Sequence, residues 1–301
     1  MRPTPSTMPA TSTPTAPATA LDQELDHAVA RGPLRHIVIP ACPQLLLRMQ
    51  DALRQPEPDL NEVARIAGSD VAMSAALLKV ANSALYRGDM PVHTVGQAMN
   101  RLGLEQTATE MRTYLVRRAL PVNNPRLARF WERSTKRAHA MAFLARHLLG
   151  TPPDVAHTCG LFSHVGLPVM LQSLPGYGGT LAEAAARVDR SPIATENANH
   201  RTDHAVVGAL VARLWLLGPT VMAAIRRHHD LDMLGQGAGE PEVDQLVAML
   251  TVSEHLMRRD EGLPTDADWT QHGARALAWL GAGEGELAEW AEDLRDTFAL
   301  A

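Results

Sequence analysis

The chain has 301 residues, of which 46% are hydrophobic and 20% charged, with a formal net charge of −5. Such a length buries a substantial core in one domain or two, and the acidic balance excludes a global field that attracts nucleic acid or anionic lipid. Two distant cysteines, Cys42 and Cys159, exclude a disulfide scaffold and fit a reduced, cytoplasmic protein; no apolar run reaches the ~18 residues of a membrane span, and the start lacks the apolar region of a secretory signal.

Residues 1–20 are almost entirely Pro, Thr, Ser, Ala and Met, and their five prolines predict a disordered leader. From residue 21 the chain reads as helices. A short helix over Leu21–Ala30 stops at Gly32-Pro33. Leu45, Leu46, Met49 and Leu53 give one apolar face between Pro43 and Pro56. Asp59 and Glu62 form a capping-box-like start for Leu60–Ala67. Ser69 or Asp70 caps a helix carrying Met73, Leu77, Leu78 and Ala81, and Asn82 is expected to bond backbone at its end. Helices over Thr94–Leu102 and Glu105–Leu120 follow, and Pro121 and Pro125 mark a subdomain boundary. Further helices are expected over Phe130–Leu149, from a cap at Asp154 towards Gly160, from Ser191-Pro192 through Glu196, from a cap at Asp203 to Leu217, from Gly218-Pro219 to His228-His229, and over 241–259. Gly176, Gly178 and Gly179 read as a loop. One or two helices complete the C-terminus.

Gly160-Leu161-Phe162-Ser163-His164-Val165-Gly166 resembles the Gly-Leu-Leu-His-Asp-Ile-Gly segment of the HD phosphohydrolase superfamily, in which the adjacent His and Asp bind metal. The flanking Phe130-Trp131-Glu132-Arg133-Ser134, Glu196, Asp203-His204-Ala205-Val206-Val207-Gly208, Trp215 and His228-His229 follow in an order similar to the HDOD branch of that superfamily. So do Ala81-Asn82-Ser83-Ala84 and Thr94-Val95-Gly96-Gln97-Ala98-Met99. The resemblance spans roughly residues 34–235 and implies an all-α fold. A leader (1–20) is followed by an N-terminal helical subdomain (21–120) packed on a degenerate HD-like bundle (121–240), completed by C-terminal helices (241–301).

An HD hydrolase needs a His, a His-Asp pair and a distal Asp converging on one or two metals that activate water and neutralise phosphate. In the positions the resemblance assigns, Arg133 replaces the first His, Ser163-His164 the pair and Glu254 the distal Asp. A serine hydroxyl is a poor metal ligand and an arginine repels a cation. Arg133, Ser163, His164, Asp203, His204, His228, His229 and Glu254 are therefore expected to line a relic pocket in which Arg133 pairs with carboxylates. No residue is assigned catalysis, and no metal or cofactor is expected. A rearranged metal site from His164, His204, His228 and His229 is the less favoured reading, since histidines at a helix C-terminus also suit the helix dipole. A Ser163-His164-Asp203 triad is set aside because neighbours in sequence seldom face one point.

The resemblance implies a cytoplasmic, non-catalytic regulatory protein of bacterial signalling. Its expected partners are other signalling or regulatory proteins, with no nucleic acid and no membrane, and any sensing is supplied by a partner in trans. The alternative is a metal-dependent phosphohydrolase acting on a nucleotide or cyclic dinucleotide. Leu60–Asn82 also has a helix-turn-helix outline, but its second helix offers only Lys79 for phosphate. The arginines at 112, 117, 118, 126 and 129 read as a solvated helix face.

Overall fold

A computed structural model describes residues 20–86, 88, 90–187, 190–235 and 240–300; the expected leader lies outside them except for Ala20. The described residues form helices without strands. Helix α1 (Ala20–Arg31) is followed by α2 (Gln44–Arg54), α3 (Leu60–Gly68), α4 (Val71–Ala81) and α5 (Val95–Ala119). Then come α6 (Phe130–His147), α7 (Pro153–Phe162), α8 (Gly166–Ser173), α9 (Tyr177–Ala186) and α10 (Pro192–His200). The chain closes with α11 (His204–Leu214), α12 (Pro219–Arg227), α13 (Pro241–Asp260), α14 (Ala267–Trp279) and α15 (Glu284–Leu300).

The boundaries follow local chemistry. The Asp59 and Asp70 carboxylates accept from the first free backbone N–H groups of α3 and α4. Asn82 closes α4 by bonding both the N–H and the carbonyl of Val92 at 2.9 Å. Thr94 and Gln97 form a reciprocal capping box at the start of α5. That helix turns at Gly103, whose φ of 77° is left-handed, so the two expected segments are two helices joined through a glycine kink. The expected loop at Gly176–Gly179 is corrected: Gly176 precedes α9, and Gly178 and Gly179 lie inside it. Burial of Tyr177 and Thr180 outweighs the low helix propensity of glycine. Asp154 lies in the first turn of α7, after the proline-led N-cap, and its side chain makes no cap.

Helices α2–α4 pack on α5, and α6–α14 form the HD-like bundle, with α15 laid on α6 and α13. The two parts share one continuous core, from Leu25 to Phe298. Helix α1, although it precedes α2–α5 in the chain, docks on the HD-like bundle. Leu25 is fully buried, and Glu24 and Asp26 pair with Arg226 of α12 and Arg213 of α11, both at 2.8 Å. The Trp215 indole N–H donates to the Pro40 carbonyl at 2.9 Å, so the segment before α2 lies on the HD-like bundle. The basic run is dispersed. Arg112 is buried, Arg118 meets Asp70 and Tyr114, and Arg129 meets Glu132 and Glu261.

Candidate functional site

Two glycines bring the site elements into contact. A Cβ on Gly160 would come within 2.8 Å of the Ala138 Cα, so this residue lets α7 lie against α6. A Cβ on Gly166 would overlap the His204 carbonyl, so α8 starts directly against the start of α11. His164 occupies the turn between α7 and α8, His204 opens α11, and His228 and His229 follow the last turn of α12. Their ligand-type nitrogens all lie within 4.8 Å of one another, with His204 and His228 buried and the other two half-buried.

Each of these rings is tethered through Nδ1. His204 Nδ1–H donates to the buried Glu196 carboxylate at 2.9 Å, and Glu196 is itself held by the Tyr177 hydroxyl at 2.8 Å and the His204 backbone N–H at 2.9 Å. His229 Nδ1–H donates to Asp268 of α14 at 2.8 Å. His228 Nδ1–H donates to the Ile225 carbonyl at 2.7 Å. His164 Nδ1 lies 3.0 Å from Ser163 Oγ, a hydroxyl that also reaches the Gly160 carbonyl at 3.2 Å. The carboxylate and carbonyl acceptors fix one tautomer at His204, His228 and His229 and leave a lone pair on each of their Nε2 atoms. The Nε2 atoms of His204 and His229 are 3.3 Å apart, and that of His228 is buried without a partner among the described residues.

A second polar group adjoins the histidines. Glu254 of α13 accepts from Arg133 at 2.8 Å and from the buried Arg137 at 2.9 Å, while Glu261 lies 3.4 Å from Arg133. A cavity of about 190 Å³ connects this group to the histidines, lined among others by Arg137, His164, His228, His229, Glu254 and Asp268.

The electrostatics divide along the same line. Burial of Glu254 favours its neutral form, but the Arg137 and Arg133 guanidiniums outweigh it and hold the carboxyl below its usual range. Burial likewise opposes the charged forms of Glu196 and His204. Their mutual attraction prevails, lowering the carboxyl and raising the imidazole. Burial pushes His164 and His228 well below the ordinary histidine value, reinforced at His164 first by Arg137 and at His228 first by His229.

The expected relic pocket is therefore two adjoining groups. Arg133 pairs with Glu254 as expected, although a quarter of its side chain remains exposed. Asp203 caps α11, accepting from the backbone of Ala205 and Val206 and from Asn197, and is no member of the histidine group. Ser163 and His164 do bond each other, Oγ to Nδ1 at 3.0 Å, in the turn between α7 and α8. Asp203 does not complete a triad with them: its carboxylate is engaged as the cap. His200 is directed to Thr180 at 2.8 Å, away from the cluster. Arg137, Glu261 and Asp268 were not singled out from the sequence. Arg137 lies one helical turn after Arg133 and could have been found by that spacing; Asp268 carries no local signal.

The donor set does not fit the two-metal centre of an HD hydrolase. Guanidiniums enclose the distal carboxylate, and the Ser163 hydroxyl is engaged by the Gly160 carbonyl and His164 Nδ1. A single ion bound only by imidazoles meets no such conflict.

The fold and the site define an all-helical protein with an HD-like bundle in which the hydrolytic ligands are rearranged. The chain belongs to the HDOD domain family, whose sequence profile matches residues 39–231. It is 27% identical over 195 residues to an uncharacterized protein of Treponema pallidum (strain Nichols); the match covers 64% of this chain and 38% of that protein. Its fold resembles a crystal structure from Marinobacter aquaeolei VT8 named "putative signal transduction protein" (TM-score 0.74, 18% identity, 93% of this chain and 64% of that one). It also resembles one from Shewanella amazonensis SB2B named "putative phosphohydrolase" (TM-score 0.68, 25% identity, 93% and 94%). No helix among the described residues is long and apolar enough to cross a membrane.

Proposed function

We propose that this chain is a non-catalytic regulatory protein of bacterial signalling, working in the cytoplasm through contacts with other proteins. The observation that carries this reading is the clamp of Arg133 and Arg137 on Glu254. Metal-assisted phosphate hydrolysis needs anionic ligands that hold the metals and open positions for water and substrate. Here the distal carboxylate spends its charge on two guanidiniums. The His-Asp pair is a Ser-His pair whose hydroxyl is engaged by the Gly160 carbonyl and His164.

The second reading, a phosphohydrolase of nucleotides or cyclic dinucleotides, is favoured by the convergence of four histidines and by the likeness to the Shewanella protein. One assay separates the two. The purified chain is incubated with p-nitrophenyl phosphate, nucleoside monophosphates and a cyclic dinucleotide, with Mn²⁺, Fe²⁺ or Zn²⁺ added. The regulatory reading expects no turnover above that of the metal alone. Metal-dependent turnover that vanishes in His204→Ala sinks it. Affinity capture from the native host followed by mass spectrometry then identifies the partner.

A further inference from the structure

We propose that His164, His204, His228 and His229 form a closed site for one first-row divalent transition-metal ion, zinc-like in its chemistry, bound through the four Nε2 atoms. The proposed site differs from the hydrolytic centre of the HD superfamily in its ligands and metal count. It uses no carboxylate ligand, and it employs the histidine that replaces an acid.

The first ground is proton bookkeeping. The Nδ1 atoms of His204, His228 and His229 donate to Glu196, the Ile225 carbonyl and Asp268, and that of His164 meets the Ser163 hydroxyl. In neutral rings the first three Nδ1 atoms carry the hydrogen and their Nε2 atoms a lone pair. These lone pairs meet beside His164, two of them 3.3 Å apart. Such an arrangement is repulsive without a cation between them. One proton shared by His204 and His229 satisfies that pair. It leaves the buried His228 Nε2 with no hydrogen-bond partner among the described residues. One metal ion satisfies all four.

Size and softness agree. Zinc–imidazole bonds of about 2.0–2.1 Å in a tetrahedron place neighbouring nitrogens about 3.3–3.4 Å apart, which the His204–His229 pair already matches. Four imidazoles suit zinc, copper, nickel or iron and are poor ligands for magnesium or calcium. The anionic Glu196 and Asp268 behind two of the rings supply the second layer of hydrogen bonds typical of bound histidines, and they balance a divalent charge. The half-buried His164 and His229 border the 190 Å³ cavity, which gives the ion a way in.

The consequence is mechanical. Such an ion ties the α7–α8 turn to the start of α11 and the end of α12, and through Asp268 to α14. Four protein ligands close a tetrahedral shell and leave no position for water, so the site is structural or metal-sensing.

The test uses the full chain, stripped with a chelator and titrated with Zn²⁺ against a competing indicator. The expected result is one zinc per chain. The affinity should fall at least about 100-fold in His229→Ala and about 10–100-fold in Asp268→Ala, which removes only a tether. His139→Ala, a change at a half-buried histidine outside the cluster, should leave it unchanged. Both test positions are partly exposed, so folding is expected to survive, and circular dichroism checks it. Zinc should also raise the Tm of the unaltered chain but not that of His229→Ala. Substoichiometric zinc, or equal affinity in the unaltered chain and both variants, overturns the proposal. Its failure is distinguishable from failure of the regulatory reading, because absent zinc leaves that reading intact. Turnover of p-nitrophenyl phosphate by the zinc-loaded chain removes the regulatory reading and the closed coordination shell together.

Discussion

Two groups of buried and half-buried histidines in this molecule show what makes a side chain available for binding. His164, His204, His228 and His229 each have a hydrogen-bond partner at Nδ1, so their other nitrogens point to one place. His139 of α6 and His157 of α7 lie 5.8 Å apart, and none of their four ring nitrogens has a hydrogen-bond partner among the described residues. They border a cavity of about 300 Å³ between α4–α5 and α6–α7, with Glu110 3.8 Å from His139. Proximity is common to both groups. Orientation by a second layer of residues separates them, and it sets ring tautomer and direction together.

The largest expected effect comes from removing one such orienting residue. Glu196 is 1% exposed and holds both His204 and Tyr177. Glu196→Ala should destabilise the chain by roughly 3–5 kcal/mol, as when one member of a buried pair is lost. Urea denaturation measures it, and a loss under about 1 kcal/mol would mean that the His204 ring is held by packing alone.

The untethered pair should reveal itself through pH. Burial, aided by Arg146, lowers His139 from 6.5 to about 4; burial with His139, Arg112 and Arg146 lowers His157 further. The unfolded chain binds these protons near pH 6.5, whereas the folded chain resists them. Stability is therefore full above about 6.5 and falls as the pH drops towards 4. His139 alone contributes on the order of 3 kcal/mol of that loss at pH 4. Its replacement in His139→Leu should flatten the decline between pH 6.5 and 4. An unchanged slope would place a proton-accepting partner at this ring.

Smaller effects follow from packing and from the half-exposed clamp. Gly166→Ala puts a methyl group into the His204 carbonyl and should cost about 2 kcal/mol, with a weakened histidine site, because α8 must move off α11. Arg133→Ala should cost only about 1 kcal/mol. Glu254 keeps the buried Arg137, and the Arg133 side chain is already 28% exposed. A loss for Arg133→Ala as large as that for Glu196→Ala would show the clamp to be the principal buried network.

Helix existence was legible in the sequence because apolar periodicity and capping residues are local: Asp59, Asp70, Thr94 and Asp203 cap the helices expected of them or adjoining them. The glycines of α9 misled, since the burial of Tyr177 that carries the helix is tertiary. The docking of α1 on α11 and α12 was equally hidden, because Glu24 and Asp26 look like solvent-facing acids until Arg226 and Arg213 are placed beside them. At the site, the motif order identified the histidines and an arginine expected to pair with carboxylates, of which Glu254 is one. It did not reveal ring orientation, which depends on a carboxylate from α14 and a carbonyl at the end of α12. Helix-end preference concerns His228 and His229 alone and carries no information about where any Nε2 points.

The central claim is that this HD-like bundle has exchanged a two-metal hydrolytic centre for one all-imidazole centre. X-ray absorption fine structure of the zinc-loaded chain tests it most directly. The expected spectrum shows four nitrogen scatterers at about 2.0–2.1 Å with imidazole outer shells and no second metal. A metal–metal distance near 3.5–4 Å, or a first shell in which oxygens replace two or more of the nitrogens, would contradict it and restore the hydrolase frame.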